Sequence, residues 1–107
     1  MSLPLAVVVP ETAPADAAPL LRRQLGAVLR RERAMQERTL RDLAAAAGVS
    51  IGYLSEIERG RKEASSELLA CVCRALGVRL ADVLADVAAE LARVEPIPAA
   101  ATARCAA

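Results

Sequence analysis

The side chains best suited to chemistry in this sequence lie between Ser50 and Lys62, and the chemistry they suit is recognition rather than catalysis. On a helix capped by Ser50, the residues Ile51, Gly52, Ser55, Glu56 and Arg59 share one side, and Ser50 joins Ile51, Gly52, Ser55 and Glu56 as a candidate base contact at the helix start. Each has a use against the edge of a base pair. Ile51 can meet a thymine methyl, Ser55 can donate or accept, and Glu56 can accept from a cytosine amino group. Gly52 either lets the backbone come close to a duplex or is simply tolerated in a first turn. Glu56 has a second use, as a solvated partner of Arg59 or Lys62. Beyond the helix, Arg59, Arg61 and Lys62 form a basic turn suited to phosphates. Tyr53 offers its hydroxyl to a phosphate or its ring to the helix edge.

Catalytic and metal chemistry find little support. There is no His, which removes the commonest general base and metal ligand. Cys71, Cys73 and Cys105 have no CxxC spacing. On a helix, Cys71 and Cys73 would point about 200° apart, which disfavours a shared metal. The expectation is a protein with no enzyme activity, no cofactor and no metal.

A helix at Ser50 needs elements to hold it. The 107 residues are 55% hydrophobic with one aromatic, Tyr53, so a core must be built from Leu, Val, Ile and Ala. Period-two alternation is rare, and the pattern predicts an all-α fold of five helices. The first starts near Pro19 and carries Leu21, Leu25, Val28 and Leu29 at helical spacing. The second is TLRDLAAAAG, capped by Thr39, with Asp42 three residues on and Gly48 as its stop. The third is SIGYLSEIERG, capped by Ser50 and stopped by Gly60. The fourth is capped by Ser65 or Ser66 and stopped by Gly77, and the fifth runs from about Leu80 to Val94. Only Gly48 and Val49 separate the second from the third. So short a joint favours the steep crossing of a helix-turn-helix. Leu54 and Ile57 should then pack, with Val49, on Leu43 and Ala44.

The net charge of +1 is uninformative, but its distribution is not. Residues 19–64 hold ten basic and six acidic side chains, whereas 65–95 hold three and five. One half suits phosphates and the other a protein partner. Residues 1–18, with Pro4, Pro10 and Pro14, read as a flexible arm, 19–94 as the DNA-binding domain, and 95–107 as a loose tail. The apolar start Leu3–Val9 is short, lacks a basic region and is broken by prolines. It is a poor signal peptide, and with no transmembrane run it gives the expectation of a cytoplasmic protein.

The stretch TLRDLAAAAGVSIGYLSEIERGRKEASSELLACVCRALGV resembles the Cro/C1-type (Xre-like) helix-turn-helix family. The resemblance lies in Leu43-Ala44, in the turn Gly48-Val49-Ser50, in the exit Ile57-Glu58-Arg59-Gly60 and in the run Ala75–Val78. It implies a compact Cro/C1 repressor-like domain that binds double-stranded DNA. It also implies a structural ion pair between Arg33 and Glu58, and phosphate contacts from Arg38, Thr39 and Arg41 beside those of Tyr53 and the basic turn. Family members often carry a phosphate-binding Gln at the start of the second helix, where this chain has Leu40. Thr39 or Arg41 is the substitute. GYLSEIERGRKEASSELL is similar to ClgR-type regulators of Clp protease genes. That similarity implies an activator, with RNA polymerase and a Clp-type protease as further partners and Ala106-Ala107 as a degradation tag.

The fifth segment carries Leu80, Val83, Leu84, Val87, Leu91 and Val94 on one stripe. Part of that stripe must also close the core, but all six residues are assigned to a homodimer contact. A dimer would set two groove helices about 34–36 Å apart on a palindrome. An antitoxin-like module that uses the same fold to bind a protein is the alternative.

Overall fold

A computed structural model describes residues 20–98, and the positions on either side, including the arm, Cys105 and Ala106-Ala107, lie outside it. Five helices occur among the described residues, with no strand: α1 Leu21–Met35, α2 Leu40–Ala47, α3 Ile51–Glu58, α4 Ser66–Leu76 and α5 Leu80–Val94. α1 packs on α3 and α5, α2 on α3 and α4, and α4 on α5.

Local chemistry sets most of the boundaries. The Oγ atoms of Thr39, Ser50 and Ser65 accept from the amides of Asp42, Tyr53 and Leu68 at 3.0 Å each. These bonds satisfy donors that a helix start leaves open. Ser65, rather than Ser66, is the cap of α4. Gly48 and Gly77 close α2 and α4 in the left-handed conformation. The amide of Val49 then returns to Ala44 O, and that of Val78 to Cys73 O, each at 3.0 Å. α1 begins at Leu21, a little later than Pro19 suggested, and Leu20 gives it no side-chain cap. It ends without a glycine, because Glu37 takes φ +56° there.

The core is aliphatic. Leu25, Val28 and Leu29 of α1 meet Leu43 and Ala44 of α2, Leu54 and Ile57 of α3, and the buried faces of α4 and α5. Val49 is partly buried against the same cluster, as the sequence pattern predicts. Gly26 shows why α1 and α3 can cross so tightly. A Cβ there would collide with the main-chain carbonyls of Ile57 and Glu58. A helix-interior glycine costs about 1 kcal/mol against Ala, and here that cost is offset by backbone contact between the two helices.

Polar ties complete the scaffold. Gln36 Nε2 donates to Leu76 O at 2.8 Å and Arg38 Nη1 to Ala75 O at 2.6 Å. Both reach the C-terminal end of α4, where carbonyls lack intrahelical partners. Arg22 Nε donates to Gly60 O at 3.1 Å, and its Nη1 lies 3.2 Å from Glu63 Oε2. Arg31 reaches Asp86 and Glu90 of α5 at 3.6 and 3.8 Å.

The stripe on α5 splits. Val83 and Val87 are 1% and 2% exposed and belong to the domain's own core, so they are not available to a second subunit. This corrects their assignment to a dimer face. Leu91 is half-buried against that core, whereas Leu80, Leu84 and Val94 are exposed. At about 100° per residue, Leu84 is turned about 100° from Val83, enough to leave the seam with α1.

Candidate DNA interface

α3 presents the surface anticipated from its sequence, with three differences. Ser50, Ile51, Gly52 and Arg59 are exposed, and Leu54, Ile57 and Glu58 are buried. Ser55 and Glu56 are only half-exposed. Glu56 Oε2 lies 3.7 Å from Arg61 Nη1, so its ionic neighbour is Arg61 rather than Arg59 or Lys62. The chain doubles back after Gly60, and the Arg61 amide donates to Glu56 O at 2.9 Å, which places the two residues side by side.

Tyr53 is the second difference. Its hydroxyl donates to Glu63 O at 2.9 Å, and Lys62 Nζ stands 5.9 Å from the ring centroid. A phosphate oxygen can only accept, and the one phenolic proton is already given to the backbone. Tyr53 therefore fastens the exit turn to α3 instead of reaching a phosphate. Arg38 is the third. Its guanidinium closes the negative end of α4, a favourable place for a cation, so it too is withdrawn from the phosphate set.

The remaining basic residues are placed for contact. Arg41, Arg59, Arg61 and Lys62 are exposed. Thr39 uses its oxygen as an acceptor for the cap, which leaves its hydroxyl proton free to donate. Gly52 opens outward, and an added Cβ would have only Ser50 Oγ nearby, at 3.7 Å. The fold itself makes no demand for glycine there.

Beneath this surface lies the ion pair. Arg33 Nε donates to Glu58 Oε2 and Nη2 to Oε1, both at 2.8 Å, while Nη1 donates to Arg38 O at 2.9 Å. The hydrogen bonds that Arg33 donates to Glu58 hold the Arg33 pKa above its ordinary value, burial opposes them, and the charge of Glu58 adds to them. Since both Glu58 oxygens are engaged, the pair orients α3 on α1 and is not a DNA-reading group. Between α1, α2 and α3 opens a cleft of about 170 Å³, lined by Arg30, Arg33, Leu40, Ser55, Glu58 and Arg59. Arg30 was not legible as part of this region, because it lies on α1, far from α3 in sequence. No group of His, Cys, Asp and Glu among the described residues is arranged to hold a metal ion. No described helix is long and apolar enough to cross a membrane.

A family model described as a helix-turn-helix matches residues 29–83, which spans α2 and α3 and the elements that brace them. The chain belongs to the Cro/C1-type helix-turn-helix family. It is 55% identical over 78 residues to the transcriptional regulator ClgR of Mycobacterium tuberculosis, a match covering 73% of this chain and 70% of that protein. The crystal structure of the clp gene regulator ClgR from Corynebacterium glutamicum superposes with a TM-score of 0.68 at 63% identity, covering 70% of this chain and 80% of that one. The restriction-modification controller protein C.Esp1396I, solved as a tetramer with its natural 35 base-pair operator, shares the fold at 22% identity. Its TM-score is 0.64, over 68% of this chain and 96% of that one. This chain is a ClgR homologue and a DNA-binding transcriptional regulator.

Proposed function

We propose that the protein acts in the cytoplasm as a homodimer on a two-fold symmetric operator, and switches on genes of Clp-type proteolysis or stress response. The observation that carries this reading is the identity to a clp gene regulator, spread across a helix-turn-helix whose α3 face is exposed. In this reading Ile51, Ser55 and Glu56 meet base edges, Ser50 and Gly52 bring the helix start close to the duplex, and the cations of the exit turn hold the backbone. Thr39 and Arg41 add phosphate contacts at the start of α2. Two subunits join through the exposed part of α5, at Leu80, Leu84 and Val94. An operator-bound oligomer is known for C.Esp1396I, which shares the fold.

As an activator the protein would contact RNA polymerase. The Ala106-Ala107 pair would serve as a handle for a Clp-type protease, and abundance would set its activity. Replacing both alanines with Asp should lengthen the half-life in cells, and an unchanged half-life removes that handle.

Selection of bound duplexes from a random pool, at several salt concentrations, tests the central claim. The expected product is an inverted repeat with half-site centres about 10 bp apart. Equal affinity for every sequence would sink the operator reading. Glu56→Ala should relax preference at one position per half-site. Arg61→Ala should weaken all sequences alike and flatten the salt dependence.

A further inference from the structure

Most arginines among the described residues are occupied. Arg22, Arg31, Arg33, Arg38, Arg61, Arg79 and Arg93 each reach a carboxylate or a carbonyl. Arg30 and Arg59 are different: both are exposed, and neither guanidinium has a hydrogen bond or ion pair among the described residues. They come from different helices, yet they line the same cleft. We propose that Arg30 and Arg59 form a clamp over Leu40 that seats one DNA backbone phosphate in each half-site.

The walls of the cleft suit an anion. Three guanidinium groups line it against one carboxylate. That carboxylate, Glu58, has both oxygens bound to Arg33 at 2.8 Å, so its charge is neutralised where it stands. The positive excess therefore belongs to Arg30 and Arg59. Leu40 contributes an apolar wall that competes for neither of them. It is also the first residue of α2, so the positive end of that helix borders the cleft.

Position decides in favour of a DNA phosphate over a free anion. Ser55 lies in the cleft and also on the side of α3 assigned to base edges, and Arg59 follows that side directly. A phosphate held here would belong to a strand whose bases α3 is reading. The Leu40 side chain cannot hydrogen-bond to a phosphate, and the clamp supplies the missing side-chain contact from α1 and α3 instead. A paired guanidinium site gives the strong, charge-assisted form of such a bond. The inference rests on the operator reading above and extends it to α1, which no helix-turn-helix pattern in the sequence assigned to DNA.

The test uses the full chain and the duplex recovered by random selection. Arg30→Gln, Arg59→Gln and the double variant are compared with wild type, and Arg74→Gln, exposed on α4 and outside the cleft, is the control. The double variant should lose affinity for the selected and a scrambled duplex alike. Its slope of log affinity against log salt should fall by about 1 per half-site. A duplex series with single methylphosphonates then locates the phosphate. One neutral linkage per half-site should weaken the wild type and leave the double variant unaffected. If the double variant binds with the affinity and salt slope of wild type, or if both give the same methylphosphonate profile, the clamp is overturned and the operator reading stands. If the wild type binds no duplex, the two fall together.

Discussion

Arg33 and Glu58 face each other fork to fork, with both nitrogen–oxygen distances at 2.8 Å, and they join the last turn of α1 to the end of α3. The third arginine nitrogen holds Arg38 O at the entry to α2. One guanidinium thus sets three helices around the interface. Among the described residues Glu58 is the one charged residue in the buried set, with its side chain 6% exposed.

Removing either partner leaves a buried charge uncompensated. Glu58→Ala should cost about 3–5 kcal/mol. For a domain of this size that lowers the thermal midpoint by more than about 10 °C. Replacing both partners, as Arg33→Met with Glu58→Leu, should recover part of the loss. Urea denaturation of the two single variants and the double variant checks this. Additive losses with no recovery would show that the pair is not coupled.

Two glycines on neighbouring helices should respond oppositely to the same change. Gly26→Ala drives a methyl into the carbonyls of Ile57 and Glu58 and forces α1 away from α3. It should destabilise by at least about 2 kcal/mol, despite the better helix propensity of Ala. Gly52→Ala meets open space. It should leave stability unchanged or raise it by up to about 1 kcal/mol, while weakening DNA binding. Thermal unfolding and binding isotherms on the same samples separate the two effects.

The divided stripe of α5 makes a matched pair of variants informative. Val87→Ala empties core volume and should cost about 2 kcal/mol. Leu84→Glu, 45% exposed in the single chain, should change monomer stability by no more than about 0.5 kcal/mol. If Leu84 lies in a subunit contact, sedimentation equilibrium will show a shift from dimer to monomer. A dimer as tight as wild type would move the contact elsewhere.

The two described thiols differ in access. Cys73 is buried in the core, and burial raises its pKa, whereas Cys71 is half-exposed. In a Cys105→Ser background, N-ethylmaleimide should label Cys71 first and Cys73 only on unfolding. The raised folded pKa also has a sign. Its contribution to stability is fully present below the unfolded thiol value of about 8.5 and is lost as pH rises through the folded value. Stability should therefore fall more steeply in the alkaline range for wild type than for Cys73→Ala, as thermal unfolding from pH 7 to 10 would show.

The residues at the helix ends were readable because capping is local. A Ser or Thr three residues before an amide, and a glycine after the last turn, act within one turn of chain, so Thr39, Ser50, Gly48 and Gly77 could be assigned from sequence, and the cap of α4 narrowed to Ser65 or Ser66. The end of α1 escaped because Glu37 takes the left-handed conformation that sequence associates with glycine. Gly26 carries no signal of its own, because an isolated helical glycine does not say what approaches it.

The helix at Ser50, its turn from α2 and the side that faces outward were determined by sequence alone, since period, caps and spacing are properties of short segments. Which donors remained free for a phosphate was decided only by the tertiary structure. Arg38 and Tyr53 look as available as Arg59 on paper. Folding brings the α4 carbonyls to Arg38 and Glu63 O to Tyr53. It leaves Arg59 without a partner among the described residues and sets Arg30 beside the same cleft. A donor's availability depends on what lies across from it, and residues far apart in sequence become neighbours only when the core has closed.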